Sequence, residues 1–79
     1  MRNIVGPRVR EARLNHQPPL TQDELAEKLK ELGLEIDRVG VSKIETGLRQ
    51  VHDREVVQLA RALEVSVGWL LKERKDSNA

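Results

Sequence analysis

One aromatic side chain, Trp69, stands among 79 residues that include no cysteine, and this constrains the fold more than any other feature. The core has to be assembled from aliphatic side chains, whose burial contributes about 0.8 kcal/mol per methylene. Neither disulfides nor thiolate metal sites can brace it. A chain this short has room for one small domain. Such a domain holds only about 5 kcal/mol of stability and gains from pairing with a second copy. No apolar run approaches the ~20 residues of a membrane span, and no apolar block precedes a cleavage site near the N-terminus. A soluble, cytoplasmic protein is expected.

The formal net charge of +1 conceals an uneven layout. Residues 1–16 carry four arginines against Glu11, whereas residues 17–37 carry six carboxylates against two lysines. A uniformly basic coat for nucleic acid is absent, so any such binding has to come from a local surface.

Alternation of apolar and polar residues is never sustained, whereas helical spacing recurs. A first helix opens at Gly6-Pro7, where proline suits the first turn, turns Val5, Val9 and Ala12 to one side, and ends before Pro18-Pro19. A second begins at Thr21-Gln22-Asp23-Glu24, a capping box in which threonine and glutamate satisfy each other's free N–H groups. Leu25, Leu29 and Leu32 follow on one face, and Gly33 is a left-handed stop. Asp37 is the expected cap of a third helix running to about Thr46, with Val41, Ile44 and Leu48 inward and Val39, Ser42 and Lys43 outward. A fourth spans about 53–63, with Val56, Ala60 and Leu63 inward and Arg54, Gln58 and Arg61 outward. Ser66 caps a short fifth through about Glu73, which leaves residues 75–79 as a frayed tail after a single domain over 1–74. Five short helices with brief connections predict an all-α, compact five-helix bundle.

Three blocks carry a resemblance: Leu20-Thr21-Gln22-Asp23-Glu24-Leu25-Ala26-Glu27-Lys28-Leu29, then Val41-Ser42-Lys43-Ile44-Glu45-Thr46-Gly47, then Leu59-Ala60-Arg61-Ala62-Leu63-Glu64-Val65-Ser66. In this order and spacing the chain resembles the Cro/repressor-type helix-turn-helix family, also called the xenobiotic-response-element group. The likeness covers roughly residues 4–72 and implies the lambda-repressor-like fold, a DNA-binding transcriptional regulator, and a third helix lying in the major groove. It places Arg38, Val39 and Lys43 on base-reading positions with Ser42 beside them. Gln22 and Arg49 fall on backbone-contacting positions, and Arg13 with Glu45 on a structural salt bridge between helices one and three. The chemistry agrees: arginine and lysine donate to guanine O6 and N7, and valine can meet a thymine methyl. The four-arginine N-terminal stretch could add phosphate contacts, which position without specifying. The sequence departs from typical members in three ways. Residues 30–36 extend the connection between helices two and three by about five residues. Gly40 interrupts the recognition helix at about 1 kcal/mol relative to alanine, either for close approach to DNA or as a weak point. Glu35 and Asp37 set carboxylates beside the groove surface.

Catalysis is not expected, because no nucleophile–base set and no phosphate-cradling glycine loop occurs. Asp23 and Glu24, as neighbours on a helix, do not face each other, and capping accounts for them. His16 and His52 lie far apart without further ligands, so neither a metal nor another cofactor is implied. Trp69 either closes the core or anchors a homodimer contact, where tryptophan is enriched. The partners expected are double-stranded DNA and a second copy. The alternative is a protein-interaction module, antitoxin-like or regulator-binding, with weak or lost DNA affinity, for which the acidic loop and near-neutral charge speak.

Overall fold

Most helix starts coincide with a side chain able to satisfy a free backbone N–H. The computed structural model describes residues 4–72, and five helices follow in order: α1 (Val5–Asn15), α2 (Gln22–Glu31), α3 (Arg38–Glu45), α4 (Asp53–Leu63) and α5 (Val67–Leu71). Thr21 Oγ1 accepts from the Glu24 N–H at 3.0 Å, and Glu24 Oε1 accepts from the Thr21 N–H at 2.9 Å, so the capping box forms. Asp37 Oδ1 accepts from the Gly40 N–H at 2.8 Å, and Ser66 Oγ from that of Trp69 at 3.0 Å. At α4 the N–H of His52 donates to Glu55 Oε1 at 3.1 Å. The stops are equally local. Gly33 and Gly47 adopt φ of +90° and +82° after α2 and α3, while Glu64 takes the same left-handed role after α4 at φ +61°.

The inward faces meet in one aliphatic core. Val5, Val9 and Ala12 from α1, Leu25 and Leu29 from α2, Val41 and Ile44 from α3, the Val56, Leu59, Ala60 and Leu63 set from α4, and Leu70 from α5 are all buried. Leu20 and Ile36 join this cluster from the connections, and Trp69 packs against it. α1 contacts α3, α4 and α5, and α2 bridges α3 and α4. The two helices that present the candidate site therefore rest on α1 and α4, α3 on the first and α2 on the second. Among the described residues no helix is long and apolar enough to cross a membrane.

Several expectations need correction. Leu48 is not inward: it is 78% exposed, because Gly47 turns the chain left-handed and the Leu48 N–H then bonds back to the Lys43 carbonyl at 2.8 Å. α5 ends at Leu71 rather than near Glu73, which lies outside the described residues with the tail 75–79. Gln58 faces α2 rather than open solvent, donating through Nε2 to the Leu32 carbonyl at 2.8 Å. The N-terminal arginine set is not a free phosphate-binding cluster. Arg13 is buried in an ion pair, and Arg8 is buried over the Trp69 ring, 3.7 Å from its centroid, with Nε donating to the Trp69 carbonyl at 3.1 Å. Both tie α1 to the bundle, because a buried guanidinium has to find partners for its donors. Arg10 remains exposed, and Arg2 lies outside the described residues.

Candidate nucleic-acid interface

The site is built on α3, an eight-residue helix held from behind. Val41 and Ile44 are fully buried, and Ile36 and Val41 take the flanking positions of a hydrophobic staple around the Asp37 cap. That leaves the opposite face outward. Arg38, Val39 and Lys43 are exposed, Val39 at 49%, and Ser42 is half-buried. All four lie on one short helix, with the first pair at its tip.

Gly40 has a role of its own. A Cβ there would stand 2.6 Å from Ile36 Cγ2, so the bare Cα makes room for the buried isoleucine that anchors the extended connection. Packing against the loop explains this glycine within the structure.

The lower end of α3 is locked by Glu45. Its carboxylate is 3% exposed and accepts from Arg13 Nε at 2.7 Å, from Arg13 Nη2 at 3.0 Å and from Gln22 Nε2 at 3.1 Å. Arg13 Nη1 donates to the Leu20 carbonyl at 2.9 Å. One buried charge thus gathers α1, α2 and α3, and Gln22 is held through its NH2 group at the first turn of α2. At the other edge, Arg49 follows α3 and forks onto Glu55, Nη1 to Oε1 at 3.0 Å and Nη2 to Oε2 at 3.1 Å, with Nη1 also donating to the Gln50 carbonyl at 3.0 Å. The hydrogen bonds from Arg49 hold the Glu55 carboxyl below its ordinary value against the opposing effect of partial burial. The same pairing raises Arg49 above its own.

Between the start of α2 and the tip of α3 lies an open cleft of about 620 Å³, whose lining includes Asp23, Glu35, Asp37, Arg38 and Arg49. The carboxylates that sequence placed near the groove surface do line it. Asp23 also approaches Arg38, Oδ1 to Nε at 3.8 Å, with both side chains largely exposed. The sequence reading left Asp23 to helix capping and missed this contact, as it missed the grip of Glu55 on Arg49. Fifteen residues separate the first pair and a loop separates the second, so no periodic signal could have shown either. Among the described residues no group of His, Asp and Glu is placed to hold a metal ion.

A helix-turn-helix family model matches residues 9–70. The chain belongs to the helix-turn-helix family. As a member of that family it is a DNA-binding transcriptional regulator. Solved structures similar to it include two regulators. One is the restriction-modification controller protein C.AhdI from Aeromonas hydrophila, at 35% identity and a TM-score of 0.68, covering 84% of this chain and 86% of that one. The other is the hypothetical transcription factor NHTF from Neisseria, at 27% identity and a TM-score of 0.76, covering 92% and 76%. No curated protein sequence matches it. This helix-turn-helix protein thus has the all-α fold expected from its spacing, with the longer α2–α3 connection closed over Ile36 and Gly40.

Proposed function

We propose that this helix-turn-helix protein acts as a homodimeric repressor on a two-fold-related operator, inserting α3 into the major groove. The observation that carries the reading is the division of α3 itself: Val41, Ile44 and Glu45 are buried, while Arg38, Val39 and Lys43 stand exposed. In this reading Arg38 and Lys43 donate to guanine edges, Val39 meets a thymine methyl, and Ser42 lies beside them. Gln22 and Arg49 hold the phosphate backbone from either side of the groove. Glu55 orients Arg49 while drawing on its charge, so that contact positions the duplex more than it attracts it.

Residues 1–74 serve as one DNA-binding unit and 75–79 as a tail. The role calls for no catalytic group and no cofactor, and a chromosomal target goes with a cytoplasmic location. Pairing with a second copy is supported by the small aliphatic core and by apolar side chains left at the α1–α5 side, where Ile4 and Leu71 are 47% and 44% exposed. Trp69 is half-buried with Arg8 over its ring, and in this reading its exposed part joins the dimer contact.

The test is anisotropy against a randomised duplex pool at several salt concentrations, with the bound fraction selected and sequenced. The expected result is an enriched, roughly palindromic motif and a log–log salt slope of about 0.9 per neutralised phosphate. Arg38→Ala or Lys43→Ala then costs about 1–3 kcal/mol on the enriched duplex and much less on random DNA. Flat binding without enrichment, from protein shown to be folded, overturns the reading and leaves a protein partner as its target.

A further inference from the structure

Asp23 takes no part in the capping box of α2. Thr21 and Glu24 complete the capping box, and an ion pair of 3.8 Å between side chains 76% and 58% exposed contributes little to stability. Its position is nevertheless particular. It occupies the first turn of α2, where free backbone N–H groups draw phosphate, and it faces the Nε side of Arg38 at the tip of α3, across the lining of the same cleft. A guanidinium has five donors in a fixed fork. A carboxylate on the Nε side leaves the end of the fork open, one N–H from each NH2 group, and that pair can donate to guanine O6 and N7.

We propose that Asp23 is a specificity-determining residue of the DNA interface, a positioning residue that holds Arg38 for one base pair and opposes binding through phosphates alone. On random DNA the natural partner of Arg38 is a phosphate oxygen. Asp23 competes for that same guanidinium, and its charge repels a phosphate that reaches toward Arg38. On the correct sequence the competition vanishes, because guanine takes the terminal NH2 groups and Asp23 keeps Nε. The carboxylate therefore lowers non-specific affinity while leaving specific affinity intact or improved, and the ratio of the two rises. Glu35 and Asp37 on the same cleft add to the repulsion, but no contact joins them to the Arg38 head. This inference rests on Arg38 reading a base.

The experiment compares the full chain with Asp23→Asn, Arg38→Ala and the double variant, each checked for an unchanged thermal melt. The probes are a random-sequence duplex and the duplex enriched from the randomised pool. In Asp23→Asn, binding to the random duplex tightens about fivefold, the scale of one unit charge met at about 4 Å in water. Binding to the enriched duplex does not tighten, and reselection shows a weakened preference at the base pair that Arg38→Ala also flattens. In the Arg38→Ala background, Asp23→Asn changes no base preference. If Asp23→Asn alters both affinities equally, or neither, the residue is a general surface charge and the inference is overturned while the function stands. If Arg38→Ala itself leaves every base preference intact, the base-reading role of Arg38 falls and the inference falls with it.

Discussion

Glu45→Ala tests the architecture of the site most severely. The carboxylate is almost fully buried and accepts three hydrogen bonds, two from Arg13 and one from Gln22. Removing it strands a guanidinium whose side chain is 10% exposed with only the Leu20 carbonyl as its remaining partner among these contacts. Breaking a buried ion pair from one side costs about 3–5 kcal/mol. Against a total of about 5 kcal/mol for a domain of this size, most of the stability disappears. At roughly 4–8 °C per kcal/mol, the melting temperature falls by about 12–40 °C. The assay is urea and thermal unfolding followed by far-UV circular dichroism, with a double-mutant cycle made of Glu45→Leu, Arg13→Met and the double variant Arg13→Met/Glu45→Leu. Replacing both charges with apolar side chains of similar volume removes the stranded group, so the double variant recovers most of the loss and the coupling exceeds about 2 kcal/mol. A Glu45→Ala loss under about 1 kcal/mol, or a double variant whose loss is the sum of the two singles, would refute the buried pair as the tie between α1 and α3.

Other outcomes follow from single contacts. Gly40→Ala gains about 1 kcal/mol of helix propensity but meets Ile36 Cγ2 at 2.6 Å, an overpacking cost of about 1–3 kcal/mol. The net effect is a loss in urea unfolding, and a stabilised variant would exclude the packing role. Glu64→Gly relieves a left-handed residue at φ +61° and raises stability by about 0.5–1 kcal/mol, even though it gives up the 3.4 Å contact with His16. A lowered melting temperature would contradict this. The Glu55 carboxyl is held below its unfolded value of 4.5, chiefly by hydrogen bonds from Arg49. Its contribution is therefore fully present above pH 4.5 and is lost as pH falls through the folded value. Glu55→Gln should flatten that part of the stability profile, and an unchanged slope on the acid side would count against the pairing. Trp69→Ala should lower stability, self-association or both, as read by melting and sedimentation. If it alters neither, Trp69 serves neither the core nor the dimer.

Much of the fold was legible because its signals are local. Thr21, Asp37 and Ser66 mark helix starts by accepting from N–H groups three residues on, and Gly33 and Gly47 mark ends by tolerating positive φ. The buried faces of α1, α2 and α4 follow from helical spacing, which depends on nothing beyond a few consecutive turns. Leu48 shows where that logic stops. It stands on the extrapolated inward face of α3, but the helix has already ended at Glu45 and the left-handed turn at Gly47 sends the side chain out.

The charged residues were harder to place, because charge carries no periodic label. Four arginines in residues 1–16 read as a basic arm. Tertiary packing instead gave Arg8 to Trp69 and Arg13 to Glu45, since each guanidinium found its partner on a helix far along the chain. The same holds at the site. Sequence alone determined that α3 is a capped helix with an aliphatic back and with Val39, Ser42 and Lys43 outward. Only the tertiary structure decided that Glu55 grips Arg49, that Asp23 faces Arg38 and that Gly40 exists for Ile36. A helix is specified by neighbours within about four residues, whereas an ion pair or a steric fit between elements is specified only when the core has set their distance.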